Sequence, residues 1–241
     1  MATTKSAAKK RPRRPATRLR VVPRAPAPGG RLYAGLSASQ RRADRRARLL
    51  KAGLDLFGTV GFGKTTIPHL CTAAGVTARH FYDEFVSREA LLRALYDEIS
   101  DEMHVRVVAM LREPFDDVRD RIRASNLTYF RYLTDDPRLA RIYALEAVGV
   151  SAELERHRRA KREQLVKTLT RATQVLERRG VPAPVDSRLF SAALAGGAHD
   201  LLLEWVLAER RPSVEKMVDT ITTIWVVTLR LDELDTRRAL A

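Results

Sequence analysis

The stretch TTIPHLCTAAGVTARHFYDEF, Thr65 to Phe85, decides the fold, because it encodes two short helices around a Gly75-Val76 corner. Thr66 suits the N-cap of the first helix, and Pro68 sits early, where a missing N–H costs least. Ile67, Leu70, Cys71 and Ala74 recur on one face. Gly75 ends that helix because glycine takes the left-handed backbone of a tight corner cheaply, and Val76 plugs the small core beside it. Thr77 caps the second helix, turning Phe81 and Phe85 inward and leaving Arg79, His80 and Tyr82 on other faces. The pattern is a helix-turn-helix, a unit that presents its second helix to the DNA major groove.

Upstream, Gly58 to Thr65 spells G-x-x-x-x-G-K-T, the pattern that cradles nucleotide phosphates in NTPases. Context rejects that alternative. A phosphate loop follows a buried strand, whereas Ala47, Leu50, Leu54 and Phe57 recur at helical spacing. Pro68 also interrupts the long helix that would have to follow, and no apolar strand ending in Asp stands ready for Mg²⁺. Gly58, Gly61 and Gly63 are better read as the end of a first helix and a sharp turn anchored by Phe62. Lys64, Thr65 and Thr66 then open the next helix, where free N–H groups and a cation suit a DNA phosphate.

From about Arg41 to Leu95 the chain resembles the DNA-binding domain of the TetR family of bacterial transcriptional regulators. The resemblance rests on Leu56-Phe57 ending a first helix, the Gly61-x-Gly63-x-Thr65-Thr66 approach, Ala73-Ala-Gly-Val-Thr77, Phe81-Tyr-x-x-Phe85, and Ser87-Arg-Glu-Ala-Leu-Leu92. Leu70-Cys71, Asp83-Glu84 and Arg88 depart from the usual residues without breaking the pattern. The resemblance implies that Thr77, Arg79 and His80 face base edges, and that Lys64, Thr66, Tyr82 and Arg88 lie on phosphates. Arg79 is the strongest specificity determinant among them, since a guanidinium meets guanine O6 and N7 in two parallel bonds.

Charge is segregated along the chain. Of its formal +15, residues 1–43 hold twelve Lys or Arg and no acid, so 32 basic residues face 29 acidic ones in the remainder. Residues 1–38 therefore read as a disordered basic arm rich in Pro, Ala and Arg. Beside a DNA reader, such an arm follows phosphates or enters the minor groove; a transit peptide or an inert tail remains the alternative. No apolar run of about 18 residues exists to span a membrane. The single cysteine, Cys71, excludes an intramolecular disulfide, fits a reducing cytoplasm and reads as a small core residue.

The expected architecture is all-α, with a helix-turn-helix domain over 39–86 and a helical effector-binding and dimerisation domain over 87–241. One long helix, Ser87 to Arg112, joins the two with a stripe from Leu91 to Val107. Further helices are expected over Phe115–Thr134, Arg138–Val148, Ala152–Arg179, Ser187–Glu209 and Val214–Leu231, with Pro and Gly at the junctions. The last two carry the stripes Leu194, Ala198, Leu201, Trp205 and Met217, Ile221, Ile224, Trp225, Thr228; the family resemblance implies that they pair with a second copy in a four-helix interface, the alternative being that they face only their own core.

Asn126 and Glu146 lie on otherwise apolar stripes with Tyr129 and Tyr143. Together with Met103, Phe130 and His199 they are the expected lining for an apolar or aromatic effector of modest size, the plainer alternative being that Asn126 and Glu146 each pair with a neighbouring Arg or a helix backbone. No metal-ligand spacing and no nucleophile paired with a base appears, so neither an enzyme nor a cofactor is expected. The function that follows is conditional DNA binding, most simply as a repressor: a homodimer holds a palindromic operator and a small effector releases it. The second reading is a nucleoid-type protein that coats DNA without regard to sequence.

Overall fold

The computed structural model describes residues 37–181 and 186–231. The expected basic arm lies almost wholly outside these residues. Among them the regular secondary structure is all helical, with no strand.

Helix α1, Ala38–Phe57, packs Leu49, Ala52 and Phe57 against α2, Ile67–Ala74, and α3, Ala78–Glu84. The local signals act as expected. The Thr66 hydroxyl accepts the N–H of His69, and His69 Nδ1 accepts the N–H of Thr66, a reciprocal cap with His in the place usually taken by Glu. Gly75 adopts φ 62° and ψ 42°, the left-handed conformation that closes α2. Thr77 caps α3 through the N–H of His80. Leu70, Cys71, Ala74, Phe81 and Phe85 form one core with α1, and burial raises the Cys71 thiol pKa.

Ser87 caps α4, Arg88–Arg112, whose buried stripe runs from Leu91 through Ile99 to Val107. Helix α5, Val118–Thr134, starts three residues later than its expected Phe115, because the Asp117 carboxylate accepts the N–H groups of Arg119 and Asp120. The helix expected over Arg138–Val148 is instead a short α6, Pro137–Arg141, which widens into a π-helical turn over Ile142–Glu146. The Ala147 N–H reaches back to the Ile142 carbonyl there. Such a bulge rotates the side chains that follow it relative to a regular helix.

Helices α7, Ala152–Arg178, α8, Ser187–Leu207, and α9, Val214–Thr228, complete the bundle, with α5 packed on α9 and α7 on α8. Leu194, Trp205, Met217, Ile221 and Trp225, expected to face a second copy, are buried in this chain's own core. Gly197 also faces inward, where an added Cβ would touch Ile221. The outward side of α8 carries Leu189, Ala193, Gly196, Leu203 and Leu207, and that of α9 carries Thr220, Ile224 and Val227. A stripe read from one strand of sequence cannot say which apolar edge the tertiary fold consumes.

Candidate functional site

The second helix of the helix-turn-helix has two sides of different character. Phe81 is fully buried, whereas Arg79 and Tyr82 on the opposite side are exposed and His80 is half-buried. Thr77 is exposed at the N-cap. Lys64 and Thr66 stand exposed at the entry to α2. All six of these polar side chains lie at the starts of α2 and α3 or along α3, five of them exposed and His80 half-buried.

Arg88, expected on a phosphate, is engaged within the protein. Its Nη1 donates to the Phe62 carbonyl at 2.9 Å and to the Thr65 carbonyl, and its guanidinium lies 4.2 Å from the Phe62 ring centre. The charge is spent on holding the 62–65 turn in place. Thr65, the would-be magnesium ligand of an NTPase loop, is fully buried and donates its hydroxyl proton to the Gly61 carbonyl. With helix α1 in front of the glycines, the phosphate-loop alternative has neither its strand nor its ligand.

Four arginines of α1 brace this unit, a role not legible in the sequence. Glu84, with only 2% of its side chain exposed, takes Arg42 at 3.2 Å and Arg45 at 3.5 Å. Arg46 lies over the Phe85 ring, and Arg48 donates to the carbonyls of Ala74 and Gly75 at the end of α2. Glu84 is thus an internal clamp, which leaves Asp83 as the exposed acidic group of α3.

Glu146, expected to line an effector cavity, lies elsewhere. Its Oε2 accepts the backbone N–H of Phe62 at 2.7 Å and its Oε1 accepts Arg141 Nε at 2.8 Å. Gly61, at φ 99°, passes so close that a Cβ would meet the Glu146 carboxylate at 3.2 Å, so both backbone and space demand glycine. Arg138 adds a second link by pairing with Asp55 of α1 and with Asp136. That pairing holds the Asp136 carboxyl below its usual pKa.

The other effector candidates separate into three groups. Met103, Tyr129 and Phe130 are buried in the packed core. Asn126 donates to the Thr222 hydroxyl at 3.1 Å and lines an apolar cavity of about 270 Å³ with Leu111, Phe115, Ile122, Leu169, Val175 and Trp225, between α4, α5, α7 and α9. Tyr143 and His199 line a different, polar cavity against α7. Tyr129 and Tyr143 are both driven well above the usual phenol pKa, first by burial, and stay neutral.

Among the described residues no helix is long and apolar enough to cross a membrane, and no cluster of His, Cys, Asp and Glu has metal-binding geometry. Residues 49–95 match the family described as "Bacterial regulatory proteins, tetR family". The HTH-type transcriptional regulator TtgR of Pseudomonas putida is 26% identical over 187 residues, covering 73% of this chain and 89% of its own length. Among solved structures, a TetR/AcrR-family regulator from Thermobifida fusca superposes with a TM-score of 0.60 at 25% identity, over 75% of this chain and 96% of that one. FadR of Bacillus subtilis in complex with stearoyl-CoA reaches 0.68 at 17% identity, over 76% and 98%. The helix-turn-helix over α2 and α3 lies within the segment that matches the tetR-family model, and the chain is similar to transcriptional regulators of that family.

Proposed function

We propose that the chain is an effector-released repressor that reads a palindromic operator as a homodimer in the cytoplasm. The observation that carries this reading is the two-sided α3, locked to the core by Phe81 and Phe85 while Arg79 and Tyr82 face outward. Arg79, Thr77 and His80 are assigned to base edges, and Lys64, Thr66 and Tyr82 to phosphates. Arg88 is reassigned from a phosphate ligand to the support of the turn that presents Lys64 and Thr66.

The outward apolar side of α8 and α9 supports the homodimer. Leu189, Leu207, Ile224 and Val227 are all exposed on one chain, and two such faces make the four-helix contact that places two recognition helices about one turn of DNA apart. The apolar cavity supports the effector. Its volume, about 270 Å³, lies near the lower end of small-molecule sites, and its mostly apolar lining also holds Ser125, Asn126 and Thr168 with Arg112, Arg121 and Arg171, groups that suit orientation of an apolar body. The fold's likeness to a FadR that holds stearoyl-CoA agrees with an apolar or acyl-bearing ligand.

Selection of bound sequences from random DNA by the full chain tests the reading. A palindrome with half-sites a helical turn or a multiple of it apart is expected, and addition of cavity-sized apolar compounds should dissolve the complex. Binding without any sequence preference would replace this reading with the nucleoid-type one.

A further inference from the structure

Helix α7 carries three arginines, Arg158, Arg159 and Arg162, on the wall of a cavity of about 190 Å³. Tyr96 of α4, Tyr143 of the π-helical turn and His199 of α8 form the remaining wall. The tyrosine rings are stacked with centres 5.5 Å apart and planes 5° from parallel, and His199 meets Tyr143 edge-on at 5.7 Å. Only one carboxylate, Glu155, lies in the lining. It is engaged by Arg158 at 2.7 Å, while Arg159 and Arg162 are exposed and form no ion pair among the described residues. The Nε of Arg158 is buried without a hydrogen-bond partner.

This arrangement is costly as it stands. Arg158 and Arg162 are four residues apart, so like charges share one helix face and repel. Their field is felt by His199, whose pKa is lowered first by burial and then by Arg158, with Arg162 adding to it and Asp200 and Glu155 opposing. An excess of guanidinium over carboxylate around a concave site recognises an oxyanion, because each fork meets a carboxylate or phosphate in two parallel bonds. The aromatic wall offers a flat apolar body a stacking surface.

We infer that the α7 cavity is a second ligand site, distinct from the apolar cavity, for a small organic anion bearing a carboxylate or phosphate on a flat body. The site also has a mechanical neighbour. Tyr143 and Glu146 share the five-residue π-helical turn, and Glu146 holds the Phe62 N–H of the DNA-binding domain. A ligand pressed against Tyr143 acts on the element that grips the turn ahead of α2, and it shifts DNA affinity by as much as it prefers one position of that element.

The test is calorimetric titration of the full chain with benzoate and phenyl phosphate, using benzamide as the uncharged control. At least one anion is expected to bind ten or more times tighter than benzamide and to weaken as salt rises. Arg159→Gln and Arg162→Gln, both at exposed positions, should each weaken that anion about tenfold without moving the unfolding midpoint, whereas Ala172→Phe in the apolar cavity should leave it unchanged. Anions that bind no tighter than benzamide overturn the inference, as does equal binding by the two glutamine variants. Because the readout needs neither operator nor effector, it stands or falls apart from the repressor reading.

Discussion

Glu146 and Phe62, 84 residues apart, are joined by a 2.7 Å hydrogen bond from a backbone N–H to a carboxylate. The carboxylate is further fixed by Arg141, whose Nε donates to its other oxygen at 2.8 Å. Glu146→Ala removes a charge-assisted bond and strands Arg141, at a cost of about 1.5–3 kcal/mol. Thermal denaturation should show a lower midpoint, and effector titration of the DNA complex should show weaker release. An unchanged midpoint would mean the bond contributes nothing net.

The three cations near the corner should behave in three different ways. Arg79→Ala should relax base preference at one position of each half-site, by about 1–3 kcal/mol in a binding selection. Lys64→Ala should weaken all sequences alike and reduce the salt dependence of binding by about one unit of slope. Arg88→Ala should lower thermal stability by loosening the 62–65 turn, with the salt slope kept. A lost unit of slope in Arg88→Ala would return it to the phosphate-binding group.

His104 and His199 set an acid limit. Both pKa values lie below 6.5, first through burial, with Lys161 lowering His104 and Asp101 opposing. The unfolded chain therefore takes up protons before the folded one does, so their contribution is complete above about pH 6.5 and is lost as pH falls toward the lowered folded values. Denaturant titrations from pH 7.5 to 5 should show stability falling already below about 6.5, well above the carboxylate range where Asp136 acts. A double variant His104→Gln with His199→Gln should flatten that segment.

Assembly is testable at the outward face of the last two helices. Ile224→Asp with Val227→Asp alters only exposed positions and should leave each chain folded while shifting it to monomer in sedimentation. Operator affinity should fall by at least tenfold, since two half-sites would no longer be bound by one rigid body. A parent chain already monomeric at micromolar concentration would remove the homodimer from the proposal.

The sequence by itself determined what depends on neighbours a few residues apart. Thr66, Gly75 and Thr77 act through N–H groups and backbone angles within one turn, and Phe81 and Phe85 are placed by helical spacing alone. Even the reciprocal cap of Thr66 and His69 has a legible spacing, with His in place of the usual Glu. Only the tertiary structure decided the roles of Glu84, Arg88, Glu146 and the α7 arginines. The partners of Glu84, Arg88 and Glu146 include groups tens of residues away, as Arg42 is from Glu84, and a charged side chain looks the same in sequence whether it meets DNA, a ligand or a distant carbonyl. The same reason governs α8 and α9, whose apolar residues outnumber one face, so packing on α5 and α7 chose which edge is buried and which remains outward.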